Sequence, residues 1–249
     1  MSFTNKVVVV TGAGSGIGAA AALQFAAEGA RVVLVDRDEA RLRDVRAQCP
    51  RHDQELLLLA ADIAREDEAH RIIQETVNKF GKLDVLVNCA GIFRMGSVLE
   101  GSIMKTFDEV MNVNLRALIL LTTLATPHLV ESKGNIVNIS SVAAVMALGA
   151  ENAVYSISKA GVEHFTRGAA LELGASGVRV NAVRPGPVRT RILENSGTKI
   201  TCDDWTPLTK IGRISEPQEI ADVILYLAND NAKGITGSIF TVDNGIVFH

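Results

Sequence analysis

The sequence predicts an α/β domain: a doubly wound parallel sheet of about seven strands with helices on both faces. Two observations predict it. Short runs rich in Val, Leu and Ile alternate with longer helix-period segments along nearly the whole chain. Most of the short runs are also continuously apolar, as strands covered on both faces must be. Crossovers of helical length between them imply parallel strands in right-handed βαβ units.

In chain order, strands are expected at Val7–Val10, Arg31–Val35, Leu56–Ala61, Val85–Asn88, Asn135–Ser140, Val178–Val183 and Ser238–Val242. Helices are expected near 17–28, 38–48, 65–80, 104–131, 153–175 and 216–229. The first strand ends where it meets glycines, and the first helix opens on the Ala-rich run behind them. Asp38 suits the start of the second helix. Asn114 lies inside the 104–131 pattern, where an Asn is locally unfavourable, so a capped or kinked helix competes there with a functional reason. The longest stretch without clear periodicity runs from Pro185 to about Pro217 and reads as a functional loop rather than a linker.

Bulk properties narrow the function classes. The 249 residues are 47% hydrophobic and 21% charged, enough for a globular core, and no composition shift marks a domain boundary. A net charge of −3 with both signs interspersed offers no basic footprint for nucleic acid or anionic lipid. The N-terminal apolar run is four residues long, too short for a signal peptide. Ala117–Val130, broken by Thr122, Thr123, Pro127 and His128, reads as too short and interrupted to span a bilayer. Cys49, Cys89 and Cys202 are scattered and odd in number, and the five histidines lack ligand spacing. Free thiols, no metal site and a cytoplasmic protein are the resulting expectations.

Strand Lys6–Val10 leads into Thr11-Gly12-Ala13-Gly14-Ser15-Gly16-Ile17-Gly18 and then a helix. Glycines let this backbone approach a ligand closely, and the helix start offers free N–H groups and a positive dipole end to a pyrophosphate. A plain Gly-rich turn is the bland alternative. Asp36, at the end of the second strand and twenty residues beyond Gly16, is where a ribose-binding carboxylate belongs. Asp36 alone also reads as a helix N-cap, but with the turn the dinucleotide reading prevails. An acid there favours NAD over NADP, although Arg37 beside it is able to approach a 2′-phosphate.

Tyr155 and Lys159 stand four apart, so a helix places both on one face. A free phenol titrates near ~10, and a Lys ammonium one turn away favours the phenolate. The spacing alone fits any helix with a half-buried Tyr and an exposed Lys.

Together these residues resemble the short-chain dehydrogenase/reductase family over essentially the whole chain. The turn Thr11–Gly18 matches its Thr-Gly-x-x-x-Gly-x-Gly motif, with Gly12, Ser15, Ile17 and Gly18 as cofactor contacts. Asp62-Ile63 is similar to its adenine contact, and Asn88-Cys89-Ala90-Gly91 to the stretch beside the adenosine ribose. Cys89 replaces a second Asn there, which puts that Asn's sheet-stabilising role in question. Asn114 aligns with the family's helix Asn, Ser141 with its active-site Ser, and Tyr155 and Lys159 with its Tyr and Lys. The Ser141–Tyr155 interval is one residue wider than the commoner spacing, an insertion around Leu148–Asn152 on the substrate rim. Pro185-Gly186-Pro187-Val188-Arg189-Thr190 resembles the segment closing over the nicotinamide, where Pro185 and Gly186 lead to Val188 and Thr190 as carboxamide contacts. Thr236–Gly245 resembles the last strand, usually in a subunit interface.

The resemblance implies one Rossmann-type catalytic domain over residues 1–249 with a substrate lid near 187–213. It implies a secondary alcohol/ketone oxidoreductase in which Tyr155 moves the proton, Lys159 tunes Tyr155 and holds the nicotinamide ribose, Ser141 binds the substrate oxygen and Asn114 anchors a water. Ile92, Phe93, Met95, Val142, Met146, Leu148, Ile192 and Trp205 are pocket-rim candidates that suit a lipophilic small molecule, although each is also an ordinary core candidate. A 3-oxoacyl-thioester reductase is the rival enzyme, for which Arg184, Arg189 and Arg191 would form a basic docking patch. A non-catalytic dinucleotide-sensing protein is the rival outside catalysis. A homotetramer or homodimer is expected, paired through the helices at 104–131 and 153–175.

Overall fold

The computed structural model describes residues 2–49, 55–147, 149–194, 196, 198 and 200–247. Seven parallel strands form one sheet: β1 (Val7–Thr11), β2 (Arg31–Asp36), β3 (Leu56–Ala60), β4 (Val85–Asn88), β5 (Asn135–Ile139), β6 (Arg179–Pro185) and β7 (Ile239–Val242). Their spatial order is β3-β2-β1-β4-β5-β6-β7, all neighbours parallel. Sequence order reverses between β1 and β4, and in such sheets a crevice opens beyond the carboxyl ends of the strands at that point.

The helices are α1 (Gly16–Ala27), α2 (Glu39–Gln48), α3 (Glu66–Phe80), α4 (Ile103–Met111), α5 (Ala117–Ser132), α6 (Ala153–Leu173) and α7 (Pro217–Ala228). The five inner strands, β1, β2, β4, β5 and β6, are buried on both faces almost throughout, while the edge strands β3 and β7 are only partly buried. Val8, Val10, Val32 and Leu34 pack with Phe25, Ile220 and Ile224 of α1 and α7. Val7, Val9 and Val33 pack with Ile72, Leu121, Leu129 and Ala169 of α3, α5 and α6. Burying one such Leu or Ile side chain contributes about 1.5–3 kcal/mol.

The elements begin and end within a residue or two of expectation, with three differences. The 104–131 pattern is not one regular helix: a π-helical turn, Asn112–Arg116, joins α4 to α5. The helical rod Ile103–Ser132 passes through Pro127, extends beyond the Ala117–Val130 stretch and, by length and composition alone, would suffice to cross a membrane. Its packing decides its place instead, since Ala117, Leu121, Ala125 and Leu129 are buried against α3 and the sheet. The aperiodic stretch after β6 contains a short 3-10 helix, Cys202–Leu208, opened by a capping box between Thr201 and Asp204.

A very tight backbone approach lies at the start of α1. A Cβ on Gly18 would lie 2.3 Å from the Gly12 carbonyl oxygen. Gly12 itself has φ 69°, and its Cβ would meet the Ala90 backbone at 3.0 Å. Gly18→Ala is therefore expected to push α1 off the sheet and cost about 1–3 kcal/mol. Urea unfolding would show this as a lower midpoint, and an unchanged midpoint would contradict the packing described.

Candidate active site

The crevice at the β1/β4 switch point is a cavity of ≈ 530 Å³ that runs from Asp36 and Asp62 to Tyr155 and Trp205. Its floor is the start of α1. Ser15 is the N-cap of that helix and makes no capping hydrogen bond with its side chain, so the helix start has its N–H groups to offer to an anion. Gly12, Ser15, Gly16, Ile17 and Gly18 line this part. Gly16 has φ 54°, and a Cβ there would lie 3.0 Å from Cγ2 of Thr190, so the turn and the strand-end segment meet across the cleft. At the β2 end, the Asp36 carboxylate accepts hydrogen bonds from the Gly14 N–H and the Asp38 N–H, both at 3.0 Å. A cradle kept clear of Cβ atoms, a helix start and a fixed carboxylate together fit a dinucleotide.

Of the residues assigned to that cofactor, Arg37, Asp62, Ile63, Ala90, Gly91, Pro185, Gly186, Val188 and Thr190 all line the cavity. Asn88 does not. It is buried, and its amide donates to Asn138 Oδ1 at 2.9 Å and Thr122 Oγ1 at 3.3 Å, behind the site. Its side chain ties β4 to β5 and α5. Asp36 is likewise not the cap of α2; Asp38 is, accepting from the Arg41 N–H at 3.2 Å.

At the other end, α6 presents Tyr155 and Lys159, both buried yet lining the cavity. Lys159 Nζ donates to the Ile139 carbonyl at 2.8 Å and lies 5.8 Å from the centre of the Tyr155 ring. Ser141 follows the end of β5 with extended backbone and accepts from the Ala143 N–H at 3.2 Å. Asn114, in the π-helical turn, sits behind the cavity wall. Its Oδ1 accepts from the Ile92 N–H at 2.8 Å, and its Nδ2 donates to Ile92 O at 2.9 Å and Ser158 Oγ at 3.1 Å. The unfavourable mid-helix Asn is therefore repaid by a two-point clamp on the strand-end loop.

Electrostatics depart from expectation. Burial pushes the Tyr155 phenol up to about 12, against a lowering hydrogen bond with Ser141. Burial pushes Lys159 down to about 8, opposed by Cys89. Desolvation is the largest cause at Tyr155, so the shift runs opposite to the one expected from spacing alone.

Around Tyr155 the wall is apolar. Phe93 stacks edge-on at 5.1 Å, and Met95 and Leu193 pack on the same cluster. Ile92, Val142, Ile192 and Trp205 line the cavity as expected; Met95 and Met146 are not among its lining residues, and Leu148 lies outside the described residues. Asn152, at the far end of the widened interval, is buried and lines the cavity. Sequence reasoning missed Arg41, Arg94, Glu109 and Leu193 as lining residues, because no local motif marks them. For the rival thioester reductase, Arg184, Arg189 and Arg191 had left a basic docking patch open. Arg184 is instead buried, with Nε and Nη2 each 2.7 Å from the Glu163 carboxylate. Arg189 pairs with Asp203 and Glu216, and Arg191 with Glu194.

Comparison with known proteins agrees with this geometry. A family model described as enoyl-(acyl carrier protein) reductase matches residues 12–247. The meso-2,3-butanediol dehydrogenase of Serratia marcescens is 38% identical, over 98% of this chain and 96% of its own. A short-chain dehydrogenase/reductase of unknown function from Caenorhabditis elegans, solved with cofactor, superposes with a TM-score of 0.92 at 33% identity, covering 99% and 96% of the two chains. A 3-ketoacyl-(acyl-carrier-protein) reductase from Brucella melitensis, solved with NADH, gives 0.88 at 33% identity, covering 98% and 99%.

The two buried groups give opposite pH signatures. The contribution of Lys159 to stability is present above its unfolded value of 10.5 and is lost as pH falls through about 8. That of Tyr155 is present below 10.0 and lost as pH rises through about 12. Relative to Lys159→Met, the native chain should gain stability between about pH 8 and pH 10. Parallel pH curves in urea unfolding would contradict the depressed lysine.

Proposed function

The chain belongs to the short-chain dehydrogenase/reductase family, as an NAD(P)-dependent oxidoreductase acting on CH–OH groups, and we propose that it interconverts a lipophilic secondary alcohol and its ketone using NAD. One observation carries the reading: Tyr155, Lys159 and Ser141 line a cavity that Phe93, Val142, Leu193 and Trp205 also line, with Phe93 and Leu193 packed on Tyr155. That wall stabilises an apolar substrate body, while Ser141 offers the hydrogen bond its oxygen needs.

In the oxidation direction Tyr155 Oη takes the hydroxyl proton as general base, and in reduction it returns one. The bound nicotinamide supplies the two-electron acceptor or donor. Ser141 orients the alcohol and polarises the carbonyl. Lys159, with one ammonium donor used on Ile139 O, has others for the phenolate and for a ribose hydroxyl. Asn114 holds the loop at Ile92 and anchors the water through which Lys159 exchanges protons with solvent. The segment near 187–213 acts as the lid, Trp205 covering substrate; within it Asn195, Gly197 and Lys199 lie outside the described residues.

NAD is favoured because the Asp36 carboxylate is locked against the glycine turn, where a 2′-phosphate would meet its charge. The acyl-carrier alternative loses support, since Arg184 is buried and Arg189 and Arg191 are paired with acids. Exposed Met104, Val130, Ile157 and Leu171 on α4–α6 suit association with further copies of the chain, as a homotetramer or homodimer. Three free cysteines suit a cytoplasmic setting.

A panel pairing NAD(H) and NADP(H) with steroid, isoprenoid, sugar and acyl-thioester alcohols and ketones tests the reading; best turnover on a sugar or thioester would refute it. Asp36→Ala should move the NAD:NADP ratio of kcat/KM at least about tenfold toward NADP, that is about 1.4 kcal/mol. An unchanged ratio would remove Asp36 as the selector. Tyr155→Phe should lower kcat by about 10²–10⁴-fold with NAD affinity nearly intact, and a variant keeping most of its turnover would overturn the proton-transfer scheme.

A further inference from the structure

One buried charge cluster has no part in the scheme above, yet it touches the residue before Ser141 and the backbone of Lys159. Glu163 lies four residues after Lys159 on α6, so Tyr155, Lys159 and Glu163 share one helix face. Its carboxylate is buried and takes two hydrogen bonds of 2.7 Å from Arg184 of β6, the bidentate geometry that fixes orientation as well as distance. Glu163 Oε1 also accepts from the Ser140 hydroxyl at 2.9 Å. That hydroxyl lies 3.3 Å from the Lys159 carbonyl, and the Ser140 N–H donates to Val183 O at 2.8 Å. Arg184 Nη1 reaches Thr241 Oγ1 at 3.2 Å.

Four elements are thereby joined just beneath the cavity: α6, the end of β5, β6 and β7. Ser140 stands between Ile139, whose carbonyl holds Lys159 Nζ, and Ser141. Extended backbone turns adjacent side chains to opposite sides. Anchoring the Ser140 hydroxyl inward therefore aims Ser141 the other way. Apolar packing alone would let α6 slide or rotate slightly against β5, whereas a forked pair tolerates little of either. A buried ion pair adds little net stability over well-packed apolar residues, so its presence here calls for another account.

We propose that Glu163, held by Arg184 and acting through Ser140, is a positioning residue that sets Ser141 and the Lys159 ammonium relative to Tyr155. The proposal rests on the proton-transfer reading of Tyr155, and the experiment separates the two. Ser140→Ala keeps the ion pair and removes only its link to the strand end. The double variant Glu163→Met/Arg184→Met removes the whole cluster without leaving an unpaired charge. Each is assayed for kcat, for KM toward NAD and alcohol, and for the pH dependence of alcohol oxidation, beside Tyr155→Phe.

Ser140→Ala should lower kcat about tenfold, short of the ~10²-fold that a 1 Å misplacement costs, with KM for NAD unchanged. The pH at which oxidation reaches its plateau should rise, because a displaced ammonium supports the phenolate less. The double variant, if folded, should show the same pattern at larger amplitude, and if it does not fold Ser140→Ala decides alone. A native kcat and pH profile in Ser140→Ala, or in a folded double variant, overturns the positioning role. Full turnover in Tyr155→Phe would instead strike the proton-transfer reading itself.

Discussion

The geometry of the site depends on how α6 is held against the sheet. That helix carries Tyr155 and Lys159, and a small rotation about its axis would turn both away from the cavity. Below them, at the same helical repeat, its contacts are polar and buried. Ser158 accepts from Asn114, and Thr166 accepts from Asn138, which itself accepts from Asn88. Each such bond contributes a net ~0.5–1.5 kcal/mol, but leaving one buried partner unsatisfied costs about 1–3 kcal/mol. The asymmetry makes a wrong rotation expensive in a way that Val162 or Ala169 packing alone would not. Specificity of placement, more than stability, is what these groups supply.

The same logic explains why the site lies where it does. Strands covered on both faces leave only their carboxyl edge open to a ligand, and the reversal of order between β1 and β4 parts the loops there. Thr11 ties this edge together: its hydroxyl accepts from the Cys89 and Ala90 N–H groups at 3.0 and 3.1 Å and donates to Val87 O at 3.3 Å. The β1 and β4 ends are thus locked in register before any ligand arrives. Cys89 takes part through its backbone, so the substitution of a thiol for an amide leaves this link intact. The cross-strand role in question at Cys89 is filled from the preceding position, where Asn88 reaches β5 and α5.

What the sequence revealed follows from periodicity and spacing, which are local. The strand and helix order, the glycine turn, Asp36 and the Tyr155–Lys159 face were all legible because each is written in neighbouring residues. The partners of Asn88 and Arg184 were not legible for the opposite reason: Asn138 and Glu163 are distant in sequence, and only the fold brings them together. Glu163 is the clearest case: nothing near it in sequence marks it, and its partner Arg184 comes from β6. The π-helical turn at Asn112–Arg116 was legible only as an anomaly, an Asn where a helix does not favour one.

The reversal of the expected Tyr155 shift clarifies what the protein alone contributes. Spacing set Lys159 near Tyr155, and Coulomb attraction argues for a phenolate. Yet both groups are buried, and desolvation disfavours the charged form of each, raising the phenol to about 12 and lowering the lysine to about 8. Burial by itself thus favours the neutral form of both groups. Lys159 Nζ meanwhile is bonded to the Ile139 carbonyl rather than to the phenol. A base at Tyr155 therefore requires further hydrogen-bonding or charged groups in the cavity to stabilise the phenolate. Those are groups that a dinucleotide and an alcohol bring with them.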